Sequence, residues 1–247
     1  MSIRNYIDAT YLKTAKQASL SESENEKVVV QNIQEAIDEN FKLIMIRPEN
    51  VSLANKMISK SNSKVTIGTV ISFPEGTNTL DEKLSEAQIA INDGADDLDF
   101  VINYKAFKKG EINLVKTEVL ECSKLALENN KIVKWIIEVA ALTDAEIIKI
   151  CVLIKNVIIA NFKEEFYSDV FIKSSTGFFE TQDNLPNGAT FSSIIMMLEN
   201  GSPLSIKASG GIKTFEDASK MIKLGVSRIG TSNAKAIANQ TKSNSDY

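Results

Sequence analysis

Two segments of the chain end a short apolar run on a lysine. In FIKSSTGF, residues 171–178, Val170, Phe171 and Ile172 lead to Lys173, and two serines, a threonine and Gly177 follow. In LSIKASGG, residues 204–211, a second apolar run leads to Lys207 and a small, glycine-rich turn. Either lysine alone reads most simply as a side chain that snorkels past a strand end to water. As a pair they read differently. An ammonium at the end of a buried strand is costly unless it is paired or loses its proton, and two lysines on neighbouring parallel strands point into one pocket. Burial and a second cation both lower a lysine pKa, so one amine of the pair stays uncharged near neutral pH. A neutral amine attacks an aldehyde to give a carbinolamine and then a Schiff base. The protonated imine draws electrons, so a carbon–carbon bond one atom away can break or form. The carbinolamine step needs a proton shuttle. Asp99, inside the apolar run of GADDLDFVI, is the candidate, although a plain structural partner for a lysine would make the same contact.

Other chemistries are excluded by what the chain lacks. Among 247 residues there is no histidine, so no imidazole zinc site and no Ser-His or Cys-His dyad can exist. Acid–base work falls to carboxylate, lysine, tyrosine or water. A net charge of −4 argues against a nucleic-acid partner, but a small anion can still be held by backbone N–H groups. Gly210 and Gly211 follow the second lysine run, and Gly230, Ser232 and Asn233 follow the next apolar run. These turns read as a phosphate site, or else as tight turn geometry. Two cysteines, Cys122 and Cys151, lie in helical patterns and suit buried thiols better than a disulfide framework. The N-terminus has no signal-peptide build, and no apolar run approaches a membrane span. The expectation is a cytosolic protein with no membrane partner.

These residues need elements to hold them. Strand-like apolar runs alternate with amphipathic segments along the whole chain. Strands are expected at 6–9, 43–46, 65–73, 98–102, 132–139, 170–173, 204–207 and 227–231. Capping patterns open helices at Ser21 with Glu24 and at Thr143 with Glu146. Asn50 and Thr214 are further caps, and Gly94 and Gly225 end helices. Eight strands, each followed by a helix or helical turn, count out a single (β/α)₈ barrel over 1–238, with a mobile tail from 239 to 247. An open doubly wound sheet would show the same alternation. The barrel is favoured because Asp8, Asp99, Glu138, Lys173 and Lys207 fall roughly one per strand, the way barrel sites are assembled.

Taken together, GADDLDFVINYKAFKKGE, IIEVAALTD, FIKSSTGF and IKASGGIKTFEDA with RIGTSN carry a resemblance. The chain resembles the deoxyribose-phosphate aldolases, class I Schiff-base aldolases, from IDATYLK at 7–13 to GTSNA at 230–234. The resemblance implies reversible cleavage of 2-deoxy-D-ribose 5-phosphate to D-glyceraldehyde 3-phosphate and acetaldehyde, with no metal or organic cofactor. It makes Lys173 the Schiff-base lysine, Lys207 the neighbour that lowers its pKa and joins proton transfer, and Asp99 the carboxylate of the relay. Gly177, Gly210, Gly211, Ser232 and Asn233 match phosphate-contacting positions. Asp8, Thr10, Glu138 and Tyr247 are accessory candidates, Tyr247 because some members end in a tyrosine that folds over the site. The chain departs from the family at Ala9, where many members have histidine, and this could alter the pocket. Phe178 stands where some have a lysine near the phosphate, and Met45 where a cysteine can occur. Barrels of this kind often form homodimers, and the sequence leaves the assembly open. It also leaves open a transaldolase-like activity on a longer sugar phosphate, or a catalytically silent barrel that binds a sugar phosphate or a protein.

Overall fold

The seam of the fold joins the two segments with the shortest apolar runs. In the computed structural model, which describes residues 2–182 and 185–241, β1 (Ile7–Tyr11) pairs in parallel with β8 (Arg228–Thr231), Asp8 lying opposite Gly230. Between them run β2 (Leu43–Ile46), β3 (Thr66–Ile71), β4 (Asp97–Val101), β5 (Ile132–Ile136), β6 (Val170–Lys173) and β7 (Ser205–Ser209), and the eight close into a parallel barrel in sequence order. The expected single-domain (β/α)₈ barrel is what the chain forms. Parallel strands covered on both faces tend to be apolar on both, as β2 (LIMI) is, whereas β4 and β7 alternate because their inward positions are polar or charged.

The helices are α1 (Ala15–Ala18), α2 (Glu22–Asp38), α3 (Val51–Ser61), α4 (Leu80–Asp93), α5 (Tyr104–Lys108), α6 (Ile112–Glu128), α7 (Asp144–Asn161), α8 (Phe191–Gly201), α9 (Phe215–Leu224) and α10 (Ala234–Asn239). Both expected capping boxes are formed, Ser21 with Glu24 and Thr143 with Glu146, and Thr79 with Glu82 makes another. Thr214 accepts from Asp217 N, as expected of a cap. Gly94 and Gly225 end α4 and α9 in the left-handed region, at φ 107° and 115°. Asn50 is different. A 3-10 turn over Pro48–Asn50 leads into α3, and the Asn50 side chain makes no cap bond. The proline fixes the entry to the helix instead. The short α1 and α5 carry too few residues to show a periodic stripe.

Two strands stop earlier than their apolar runs. β3 ends at Ile71 because Ser72 turns at φ 57°, and β5 ends at Ile136 with Glu138 at φ 55° just beyond it. Glu138 therefore sits in the turn after the strand, not within it. A buried Lys83–Glu118 pair pins α4 to α6. Lys83 Nζ also donates to Val101 O at 2.8 Å, and Glu118 accepts from Asn103 N at 3.0 Å, which fixes the C-terminal end of β4.

The main core lies between strands and helices. Inside the barrel the β1–β3 side is apolar, with Leu12, Leu43, Met45 and Val70 packed together and Phe73 and Phe178 against them. The other side of the interior holds the charged residues, with Phe171 among them. None of the helices among the described residues is long and apolar enough to cross a membrane. The expected tail beyond 241, and Tyr247 with it, lies outside the described residues.

Candidate active site

Side chains of a strand alternate between its two faces, so Asp97 and Asp99 of β4 share the barrel interior. The register then sets their neighbours: Asp99 is opposite Lys134 of β5, Lys173 of β6 is opposite Lys207 of β7, and Lys207 is opposite Arg228 of β8. Asp99 is fully buried and serves three lysines. Its Oδ2 accepts from Lys173 Nζ and from Lys207 Nζ, both at 2.9 Å, and its Oδ1 accepts from Lys134 Nζ at 2.9 Å. The Lys173 and Lys207 nitrogens are therefore no more than twice that distance apart. Sequence expectation and geometry agree on Lys173, Lys207 and Asp99 as one cluster.

Asp8 of β1 completes one flank. Its Oδ2 lies 2.6 Å from Lys207 Nζ, as an ion pair outside hydrogen-bond angles, and its Oδ1 accepts from Arg228 Nη1 at 2.7 Å. Asp97 takes Lys134 Nζ at 2.6 Å and faces Arg228 Nη2 at 3.5 Å. Lys134, Asp97 and Arg228 were not singled out from the sequence. The sequence carries only a partial signal for them, the acids Asp97 and Asp99 at i and i+2; which basic residues face them is set by the register.

The charges follow from burial and pairing. Burial works to raise the Asp99 carboxyl, but Lys134, Lys173 and Lys207 overcome it and hold it far below the ordinary range. Asp8 is likewise held low by Lys207, Arg228 and Lys134 against its burial. Burial wins at Asp97, whose carboxyl is lifted although Lys134 and Arg228 oppose the shift. Lys134 is raised, because Asp97, Asp99 and Asp8 outweigh its burial. Lys173 goes the other way, to about 8. Burial is the main cause, Asp99 pulls upward, and Lys207 and Lys134 push down. At that value roughly a tenth of Lys173 is uncharged at pH 7. Among the neighbouring charges Lys207 is the first to push Lys173 down, in the direction the sequence reading expects, with the Asp99 carboxylate opposing it.

A cavity of about 160 Å³ opens above this cluster at the C-terminal ends of β6, β7, β8 and β1, where barrel sites form. Of the lysines bound to Asp99, only Lys173 lines it. The expectation that both lysines enter one pocket is corrected here. Lys207 is drawn down between Asp99 and Asp8 and reaches the cavity only through Asp99. Gly230 makes room for it, since a Cβ there would lie 3.1 Å from Lys207 Cε.

The wall after β6 is built by Glu138. Its carboxylate accepts from Thr176 N at 3.1 Å and from the Ser175 and Thr176 hydroxyls, so it shapes the turn rather than facing the cavity. Burial raises its carboxyl, against those bonds and the Lys173 charge. Ser209 staples this turn to β7: its Oγ donates to Ser175 O at 2.6 Å, and Ser174 Oγ donates to Ser209 O at 2.8 Å. Neither Ser209 nor Asn187, which donates to Gly177 O at 3.3 Å, stood out in the sequence.

The five expected phosphate positions, Gly177, Gly210, Gly211, Ser232 and Asn233, all line the cavity, but they are not equivalent. Gly177 N–H is engaged with Ser175 Oγ at 3.0 Å, and Asn233 N–H with Thr231 Oγ1 at 3.0 Å. Gly210 is required by packing, because a Cβ would lie 2.8 Å from Gly188 Cα. Gly211, at φ 77°, faces open space, and no described residue accepts from its N–H or from that of Ser232. Lys213 supplies a cation to the same wall. Thr10 lines the opposite side, its hydroxyl donating to Asp8 O at 2.9 Å. Phe178 lines the cavity with its ring edge-on to Phe73 at 5.0 Å. Ala9 does not line it. Asp8 points inward, so Ala9 points outward into the main core, and this departure leaves the pocket untouched.

Comparison with known proteins points the same way. A family model described as DeoC/LacD family aldolase matches residues 6–234. The deoxyribose-phosphate aldolase of Thermococcus gammatolerans is 37% identical over 238 residues, covering 96% of this chain and 95% of that one. That of Metamycoplasma hominis is 40% identical over 224 residues, covering 90% of each. A crystal structure of a putative deoxyribose-phosphate aldolase from Coccidioides immitis superposes with a TM-score of 0.78 at 30% identity, covering 97% of this chain and 86% of that one. The chain belongs to the DeoC/LacD family of aldolases.

Proposed function

We propose that this chain is a deoxyribose-phosphate aldolase, a lyase that reversibly cleaves 2-deoxy-D-ribose 5-phosphate to D-glyceraldehyde 3-phosphate and acetaldehyde, with Lys173 as its nucleophile. One observation carries the assignment of the residue: a buried amine, held at about 8, that meets the cavity on one side and Asp99 at 2.9 Å on the other. The unprotonated Nζ adds to C1 of the open-chain aldehyde. Loss of water leaves a protonated imine. Electrons of the C2–C3 bond then flow into it as the C3 hydroxyl loses its proton, and glyceraldehyde 3-phosphate departs. Protonation of the remaining enamine and addition of water release acetaldehyde and return the amine.

Asp99 stays ionised throughout the free enzyme's working range. At rest it therefore orients Lys173 and accepts its N–H as a carboxylate, and it carries a proton only in passing between Lys207 and Lys173. Lys207 acts through Asp99 as a positioning residue and stands ready to pass a proton by the same oxygen. The N–H groups of Gly211 and Ser232, with the Lys213 ammonium, form the phosphate end. Gly177, Gly210 and Asn233 shape that wall.

Borohydride reduction in the presence of acetaldehyde is expected to fix a two-carbon adduct on Lys173, read by peptide mass mapping. Label on another residue, or none, would refute the role. With 2-deoxyribose 5-phosphate, kcat/KM is expected to fall about tenfold per pH unit below the free amine's value of about 8. A flat profile from pH 6 to 8 would contradict a lysine that must first lose its proton.

A further inference from the structure

The charged interior is larger than the three residues the reaction needs, and its connections form a closed path. Start at Arg228. Its Nη1 donates to Asp8 at 2.7 Å, and the other Asp8 oxygen lies 2.6 Å from Lys207 Nζ. Lys207 reaches Asp99 at 2.9 Å, Asp99 takes Lys134 at 2.9 Å, and Lys134 donates to Asp97 at 2.6 Å. Asp97 returns to Arg228 at 3.5 Å. Around this path cation and anion alternate, and each ring member is buried. Phe171 fills the space beside it, with Arg228 and Lys134 at 5.9 and 6.0 Å from its ring centroid. Lys173 hangs from Asp99 outside the ring.

We propose that Arg228 and Asp97 are positioning residues of the aldolase site: they close a ring of six alternating charges, and that closure leaves Lys173 as the unmatched cation of the cluster. The proposal rests on Lys173 being the Schiff-base lysine. Its physical content is charge balance. Every cation of the ring has an anion on either side, so removing a proton from any of them breaks a balanced arrangement in a dry interior. Lys173 shares its one carboxylate oxygen with Lys207, and a proton leaves it at least cost. Two further charged groups face Lys173. Glu138 approaches from beyond β5, but its oxygens are taken by Ser175 and Thr176 and it has no ion pair with a ring cation. Lys213 lies across the cavity.

The ring predicts effects of opposite sign from two side chains that never meet the cavity. Arg228→Gln removes a cation, so the cluster retains the Lys173 proton more strongly. Asp97→Asn removes an anion, so the proton is lost more readily. The measurement is the pH dependence of the rate at which acetaldehyde and borohydride label Lys173, with the site confirmed by peptide mapping and the fold by near-ultraviolet circular dichroism. Arg228→Gln is expected to move the acid limb up by about one pH unit, an approximately tenfold loss of labelling rate at pH 7 that recovers in alkali. Asp97→Asn is expected to move the limb down. Arg228→Lys keeps the charge and is expected to leave the limb in place, and the double variant Arg228→Gln/Asp97→Asn, balanced again, is expected to restore it. Limbs that stay put in both single variants, or move in the same direction, overturn the ring. So does a displaced limb in Arg228→Lys, which decides the matter if the neutral variants do not fold. Absence of any Lys173 adduct in the unsubstituted protein is a separate result, and refutes the functional reading rather than the ring.

Discussion

Lys173 is the residue where activity and stability pull apart. Its pKa in the folded protein is depressed to about 8 from 10.5. Between those two values the unfolded chain binds a proton that the folded one does not, so stability rises with pH across that window, and below pH 8 the full cost of burying the charge is present. The depression corresponds to about 3 kcal/mol. Lys173→Leu is accordingly expected to abolish turnover and raise the denaturation midpoint at pH 7, with the gain shrinking as the comparison moves toward pH 10; a variant that is inactive because it is less stable would contradict this. Asp99→Asn should behave in the opposite way, losing both activity and ~3 kcal/mol or more of stability, because three buried ammonium groups lose their shared anion; urea unfolding measures it. Lys173, Lys207 and Asp99 were legible because each interrupts an apolar run. Lys134, Asp97 and Arg228 were not, because recognising an interior charge requires the register that sets Asp99 opposite Lys134 and Lys207 opposite Arg228, and register is not written locally in a parallel strand.

At the scale of elements, β8 does more than close the barrel. Gly230 faces the Lys207 stem, and a Cβ in its place would lie 3.0 Å from Ser209 Cβ and 3.1 Å from Lys207 Cε. Gly230→Ala is expected to push Lys207 off Asp99 while the strand still pairs. Activity should then fall by more than tenfold with a modest loss of stability, ~1 kcal/mol; parental kcat in this variant would show that the position of Lys207 is not critical. Most caps and helix breakers were readable here because their signals are short-range: Ser21 and Glu24, Thr143 and Glu146, Gly94, Gly225. Strand ends were less so. β5 reads as an apolar run to residue 139, yet the chain turns at Glu138 with φ 55°, a conformation that a side chain other than glycine adopts at some cost. What holds it is the set of bonds from Ser175 and Thr176, about forty residues further on in sequence, which no local pattern announces.

The whole molecule carries two populations of acids whose shifts oppose each other, and its pH dependence follows from both. Asp97, Glu86, Glu118 and Glu138 are raised, in each case chiefly by burial. For these the folded state keeps its protons to higher pH than the unfolded one, so their contribution is present below the ordinary carboxyl range and is lost as pH rises through the raised values. Asp8 and Asp99 are depressed by their cations. Their contribution is present above the unfolded carboxyl range near 4 and is lost as pH falls below it. On the alkaline side Cys122 and Cys151 are both pushed by burial to about 12, so the unfolded chain loses those protons first and the thiols' contribution to stability declines above about pH 9. The raised acids thus place their stabilisation on the acid side, and Lys173 works the other way between about 8 and 10.5. The acid-side stabilisation is displaced from the pH near 8 at which the amine of Lys173 becomes free to react. Urea midpoints taken from pH 3 to 8 are expected to be higher on the acid side of neutrality than at pH 8, whereas kcat/KM is expected to rise toward pH 8. Coincident optima for stability and turnover would mean that the buried acids are not titrating as their surroundings require. The same burial keeps both thiols unreactive toward a disulfide reagent at pH 8 until the barrel opens, so thiol release in urea gives a second readout of the same unfolding.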